Sequence, residues 1–345
     1  DNEFTREVLA LSHTGRWDFG TTDSYVQREE AENLTREMKV TNTSAKTALV
    51  TPLGDHLLTV GANFEKEELS DETSNQISNR TEVDASKWAL FAEDEWMLPG
   101  NVSVTGGLRL DDDENYGSHV SPRLYGVWGM APRWTLKGGV STGFRSPSLR
   151  EITPDWGQVS RGGDVYGNPD LEPETSVNKE LGLYFNAGRD LQANVTVFHN
   201  DFKDKITRIA CPPSVCTGGP NQFGSDPTYR VNVDEAVTRG VEAAVSTTLA
   251  RTLDLTLSYT YTDSEQQSGE YKGEPLNQVP KHLASLQADW RATSRLKPWL
   301  AVRYRGEESQ PTTGPSSSSL VAPSTRVLDG ATRLLLDGPV VGWLS

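Results

Sequence analysis

Residues 142–180 read TGFRSPSLREITPDWGQVSRGGDVYGNPDLEPETSVNKE. An alternating segment from Trp134 to Phe144 runs into Arg145, Ser146 and Pro147. About thirty residues without strand periodicity follow, and alternation resumes near Val177. A connection this long between two strands is uncommon in a compact domain, where such loops are functional or disordered. Four prolines before Glu174 (Pro147, Pro154, Pro169 and Pro173) restrict the backbone, so the reading is a loop with a fixed path.

Outward from this loop the main signal has period two. Val102, Val104, Gly106, Leu108 and Leu110 interleave with Ser103, Thr105, Gly107, Arg109 and Asp111. Leu253, Leu255, Leu257, Tyr259 and Tyr261 interleave in the same way with Asp254, Thr256, Ser258, Thr260 and Thr262. Each such strand has one apolar and one polar face. About fourteen strands are expected, starting near Arg6, Trp17, Arg36, His56, Lys87, Asn101, His119, Arg133, Val177, Leu191, Arg230, Thr252, Lys281 and Lys297.

Short turns rich in Gly, Pro and Asn are expected at 14–16, 52–55, 99–100, 131–132, 188–189, 250–251 and 293–294. Every other connection is expected to be long: near Glu30, and at 70–84, 112–117, 145–175, 203–228 and 264–279. A sandwich or propeller does not collect its short turns at one end and its long loops at the other. A transmembrane barrel does, and closure satisfies the backbone hydrogen bonds that lipid leaves open. The expected fold is therefore all-β, a transmembrane antiparallel β-barrel with short periplasmic turns and long extracellular loops. Trp17, Trp88, Trp96, Trp134, Trp290, Trp299, Tyr261 and Tyr304 fall near strand ends, as membrane-boundary girdles require.

Composition agrees once helices are set aside. The chain has 345 residues, a net charge of -15 and 35% hydrophobic residues. Its pI is about 4.8 and its mean hydropathy -0.54. The acidity argues against a nucleic-acid partner. No apolar run approaches the roughly eighteen residues of a transmembrane helix, whereas a barrel strand needs only alternate apolar residues. The start, Asp1-Asn2-Glu3-Phe4, has no signal-peptide character. Cys211 and Cys216 enclose four residues in CPPSVC, which suits a small disulfide loop at a surface tip better than free thiols or a metal site.

No catalytic constellation stands out. His13, His56, His119, His199 and His282 are scattered without metal-ligand spacing. The acidic run from Asp111 to Glu114 has the chemistry of a divalent-cation site, but a solvated outer loop is the favoured reading. Neither Gly162-Gly163 nor Gly218-Gly219 carries a phosphate-binding pattern.

Thr142, Gly143, Phe144 and Pro147, followed by Gly167, Asn168, Pro169, Asp170, Leu171, Pro173 and Glu174, resemble the barrel of TonB-dependent outer-membrane receptors, most like the ferric enterobactin (catecholate siderophore) receptors. Phe91 to Trp96, Ser121-Pro122-Arg123, Leu136 to Gly143, Asn194 to Phe198 and Arg239 to Glu242 extend the resemblance over about 40–306. It implies a twenty-two-stranded barrel around a plug, of which this chain carries about fourteen strands. About five strands are then expected before Thr5 and about three after Gly306, with the plug not represented. On this reading 1–310 is a partial receptor barrel. The segment 311–345, which ends at Ser345 instead of an aromatic residue, is divergent and is expected to be truncated or frame-shifted.

The resemblance implies uptake of a ferric siderophore energised by the TonB–ExbB–ExbD complex through the plug, in the outer membrane of a Gram-negative bacterium. No enzyme chemistry and no covalently bound cofactor are expected, and iron is carried only as the siderophore complex. Outer-membrane lipid, and phage or bacteriocin, are further expected partners. The alternatives are a passive porin-like channel, a non-functional receptor fragment, or haem or another TonB-dependent substrate.

A ferric catecholate is an aromatic trianion, so its recognition calls for cations and stacking side chains. Arg161, Tyr166 and Trp156 are the first candidates, with Arg145, Arg208 and Tyr271 beside them. Arg150, Phe223, Tyr229, Arg230 and Lys272 complete the set. Gly167, Asn168, Pro169 and Pro173 are read as structural residues that shape the loop's return to the wall.

Overall fold

The computed structural model describes residues 3–35, 37–72, 79, 81–153, 157–158, 163–216, 218–221, 223–269, 272–276, 279–310, 320–322, 325–334 and 343–344. The first eight strands are β1 Phe4–Trp17, β2 Gly20–Asn33, β3 Met38–Leu53, β4 His56–Asp71, β5 Glu82–Leu98, β6 Val102–Asp113, β7 Gly117–Ala131 and β8 Trp134–Arg145. Within the long connection lie α1 Leu149–Ile152, β9 Gly157–Gln158 and β10 Val165–Tyr166. The wall resumes with β11 Glu174–Asn186, β12 Leu191–Ala210, β13 Thr228–Leu249, β14 Leu253–Gln266, β15 His282–Trp290 and β16 Leu296–Arg305. β17 Glu308–Gln310, β18 Leu320–Ala322, β19 Thr325–Leu334 and β20 Trp343–Leu344 follow.

All fourteen expected strands are present, and each pairs antiparallel with the next in the order β1 to β8, then β11 to β16. A fifteenth long strand, β19, pairs with β16 from Leu296↔Leu334 to Arg305↔Thr325. The wall therefore runs past residue 310, into the segment read as divergent. Among the described residues no pairing joins β1 to the far end of the sheet.

Register puts the apolar residues of neighbouring strands on one face. Leu124 lies opposite Val140, Leu181 opposite Val197, and Leu257 between Val245 and Leu286. Apart from half-buried Leu286 these side chains are uncovered, with Leu124 at 59% exposure and Leu108, on the same face, at 60%. A continuous uncovered apolar band is a liability in water and the required surface in lipid. The opposite face is polar. Arg123 reaches Glu93 at 3.4 Å, Lys137 lies 4.6 Å from the Tyr184 ring centre, and Lys46 lies 5.7 Å from that of Phe91. Trp17, Trp96, Trp128, Trp134 and Trp290 form an exposed aromatic row near the short-turn end. Trp88 and Phe64 pair in register nearer the other end. Trp299, expected in a girdle, lies opposite Asp289 on the polar face. No helix among the described residues is long and apolar enough to cross a membrane; in a barrel the strands do the crossing.

Two expectations about connections need correction. The first turn is not at Thr14-Gly15-Arg16. β1 continues to Trp17, paired with Gly20, and the Trp17 indole Nε1 donates to Thr22 Oγ1 at 2.9 Å, so the reversal falls at Asp18-Phe19. The alternation of short and long connections is not strict either. The outer connections 34–37 and 114–116 are tight, because β2, β3, β6 and β7 stay paired up to their tips.

The sheet also curves. From β5 to β13 there are six strand steps, on the order of 29 Å if flat at ~4.8 Å per step. α1 is only four residues, about 6 Å long, yet Leu149 packs on Val83 of β5 while Glu151 bonds Arg230 of β13. Both contacts exist only if the wall bends round α1 and the long outer ends of β12 and β13 lean over it.

Candidate ligand-recognition site

The outer ends of the wall carry a crown built mainly from the long connection and the β12–β13 hairpin. α1 begins at Ser148, whose backbone N–H donates to Glu151 Oε2 at 2.7 Å, a capping-box contact. The helix stops after one turn, with Thr153 donating from both N–H and Oγ1 to the Leu149 carbonyl. Leu149 is buried against Leu69 and Val83, with Met38, Val40 and Ala85 packed around them.

Glu151 is the charged centre. Its carboxylate accepts from Arg230 and lies 3.7 Å from Arg145. The Glu151 and Arg230 side chains are 9% and 14% exposed, so each charge depends on the other for solvation. Arg145 also donates to Glu174 at 2.7 Å, and Glu174 accepts from the Ile206 N–H at 2.7 Å.

The GNPDL stretch ties the loop to the hairpin. Asn168 donates from its N–H to the Glu151 carbonyl at 2.7 Å and from Nδ2 to the Arg230 carbonyl at 2.9 Å. Its Oδ1 accepts from Asp170 N–H, and Leu171 is fully buried. Glu172 and Asn232 exchange two further hydrogen bonds, at 2.8 and 2.9 Å. Gly167, Pro169 and Pro173 flank these anchors within the same return to the wall.

Next to it, β10 adds to the edge of β13 in parallel, Val165 opposite Thr228 and Tyr166 opposite Tyr229. Thr228 N–H donates to the Asp164 carbonyl at 2.8 Å, and Asn221 Nδ2 to the Asp164 carboxylate at 2.8 Å. Gly163 has φ +105, and a Cβ there would run into the Asp226 carbonyl, so the close approach needs glycine. Cys211 and Cys216 are bonded, with Cα atoms 5.9 Å apart, and close the hairpin tip.

Tyr166 is half-buried, and a Cβ on Gly218 would lie 3.1 Å from its hydroxyl. Burial first, then the Asp164 carboxylate, raises its phenol above the ordinary tyrosine range. Tyr116 projects from the β6–β7 turn, and its buried hydroxyl finds no hydrogen-bond partner among the described residues. Burial, then the Asp113, Glu151 and Glu172 carboxylates, raises that phenol too. Ser146 Oγ donates to Asp113 at 2.7 Å and brings the β6–β7 turn into the network. A cavity of about 290 Å³ opens beside it, lined by Glu65, Lys66, Lys87, Asp113, Arg145 and Ser146 among others.

The crown sorts the residues selected from sequence. Tyr166 lies where the two loops meet, and Arg208 and Phe223 are exposed on the hairpin. Arg145 is held by carboxylates. Arg230, expected to face a ligand, is instead buried against Glu151, because a guanidinium withdrawn from water needs a counter-charge. Arg161, Trp156 and Tyr271 lie outside the described residues, as does the side chain of Arg150. Glu151, Asn221 and Asn232 were missed. Only Glu151 had a readable signal, the Ser148-x-x-Glu151 spacing of a capping box. Among the described residues no group of three or more His, Cys, Asp or Glu is arranged to hold a metal ion.

A lipid-facing antiparallel wall with a side-chain-bonded crown at one end defines the class: an outer-membrane β-barrel with built extracellular loops. The model of the TonB dependent receptor-like β-barrel matches residues 3–334, and the chain belongs to that family. It is part of a Gram-negative outer-membrane protein, and the family's members are receptors and transporters, not enzymes. The chain is 55% identical over 339 residues to the iron-regulated outer membrane virulence protein of Vibrio cholerae, covering 98% of this chain and 52% of that protein. It is 28% identical to the ferric enterobactin receptor of Pseudomonas aeruginosa, covering 89% of this chain and 47% of that protein. A solved structure of the ferric enterobactin receptor PfeA from Pseudomonas aeruginosa superposes with a TM-score of 0.81 at 26% identity, over 97% of this chain and 55% of that one. The chain thus spans about half the length of these relatives.

Proposed function

We propose that this chain forms the wall and outer crown of a receptor that takes up a ferric siderophore of the catecholate, enterobactin-like type, energised through TonB. The observation that carries the reading is the superposition on a ferric enterobactin receptor, of which a variant has been solved in complex with enterobactin. The crown's chemistry supports it: Tyr166 and Phe223 offer ring faces, and Arg208 offers a cation, in a region that the ion pairs around Glu151 hold in shape. An aromatic trianion is met by such groups. The barrel wall contributes no reacting group. Capture occurs at the crown, and translocation needs a plug and the TonB–ExbB–ExbD complex, with iron as cargo.

The test is iron-limited growth of a receptor-deficient Gram-negative strain expressing the intact protein that carries this chain. Growth on ferric enterobactin, abolished when TonB is deleted, is the expected result. Growth on haem or ferrichrome but not on a catecholate would move the substrate to another class. Uptake that persists without TonB would mean a passive channel.

A further inference from the structure

α1 joins parts of the crown that the sheet keeps apart. Leu149 anchors it to the β4–β5 side through Leu69 and Val83, and Glu151 anchors it to β13 through Arg230. Glu151 makes the second junction in three ways at once. Oε2 accepts from Ser148 N–H, Oε1 accepts from Arg230, and the carbonyl accepts from Asn168 N–H. Asn168 then donates to the carbonyl of the same Arg230, closing the ring. Two residues before Asn168 stands Tyr166, and one residue before Arg230 stands Tyr229, its register partner. The place of Tyr166 relative to the cysteine hairpin is therefore set from one side by the β10–β13 pairing and from the other by Glu151.

We propose that Glu151 is a positioning residue that joins the long loop and the β12–β13 hairpin into one body, so that an aromatic anion meets a preformed surface. Without it the two loops must be ordered as the ligand binds, a cost that is read mainly as faster dissociation. The ligand arm of this inference rests on the function proposed above, whereas the joining of the loops does not.

The test uses the intact outer-membrane protein in native membrane vesicles, as wild type, Glu151→Gln and Glu151→Asp. Hydrogen exchange is followed at 163–168, at 223–232 and, as a control, in β6 to β8. Ferric enterobactin release is followed by recovery of quenched tryptophan fluorescence. Glu151→Gln should speed exchange in both crown segments together and speed release about tenfold, with β6 to β8 unchanged, and Glu151→Asp should restore most of both effects. Exchange that rises at 163–168 alone would show that the loops are independent and would overturn the proposal. Both segments loosening with release unchanged would reduce Glu151 to holding shape, which also overturns it. Should Glu151→Gln fail to reach the membrane, Arg230→Gln, which removes the other half of the ion pair, makes the same comparison with the same expected and overturning results. If wild type does not bind ferric enterobactin, the proposed function fails, and the exchange data alone decide whether Glu151 joins the loops.

Discussion

In the wall, β6 pairs with β7 over all 12 of its residues, and the bonds are backbone to backbone. In the crown, β9 and β10 contribute two residues each, and the described parts of the segment from Ser146 to Glu174 rest on side chains beside a few backbone bonds: Ser146 on Asp113, Glu151 on Arg230, Asn168 on both loops, Glu172 on Asn232. The wall tolerates many sequences, provided that apolar and polar residues alternate. The crown depends on particular side chains, since losing one partner strands the other in a dry environment. Substitutions in the wall should therefore act through the choice of face, and substitutions in the crown through identity.

The largest effect is expected where the wall rule is broken outright. Leu108→Lys places a charge in the middle of the lipid face and should cost about 2–4 kcal/mol, whereas Arg109→Lys, one residue on and facing inward, should cost little. Equilibrium unfolding of the protein reconstituted in bilayers reads both, and equal costs would refute the assignment of faces. Gly163→Val comes next. It closes the space that the Asp226 carbonyl occupies and demands a left-handed backbone from a branched residue, at about 2–3 kcal/mol. Limited proteolysis should then cut the crown and leave the wall intact; cutting in both would mean that the two regions unfold together.

Removing the disulfide by Cys211→Ser opens a loop with a sequence separation of only 5. Chain entropy gives such a short closure about 2 kcal/mol, and the effect should stay within the hairpin tip, as exchange at 211–216 would report. Tyr116→Phe is the smallest change and has the opposite sign. The lost hydroxyl is buried and unpaired, so stability at neutral pH should hold or rise by up to about 1 kcal/mol. Because burial and carboxylates raise this phenol's pKa in the folded state, its neutral form favours folding below the ordinary value of about 10, and that contribution is lost at higher pH. The Phe variant should therefore be more alkali-resistant than wild type, and a matching alkaline midpoint would contradict the burial of Tyr116.

The two regions also differ in how far they can be read without coordinates. Fourteen of the fifteen long wall strands described were legible, because alternation is local: Val102 to Leu110 announces its faces with no knowledge of its neighbours, whereas β19 falls in the segment read as divergent. The errors fell where register decides. Trp299 looked like a girdle residue until pairing set it opposite Asp289. Thr14-Gly15-Arg16 looked like a turn until the ladder ran on to Trp17. In the crown, Arg230 and Tyr166 both read as ligand groups, and only their partners separated them.

Sequence alone determined that this chain is a lipid-facing wall with short turns at one end and a long proline-bound loop at the other, because period two is a property of consecutive residues. Tertiary structure decided what the loop is tied to. Glu151 and Arg230 are 79 residues apart along the chain, and no local pattern links a carboxylate to a guanidinium at that distance. Only the bending of the wall brings the two charges together, and once water is excluded each fixes the other.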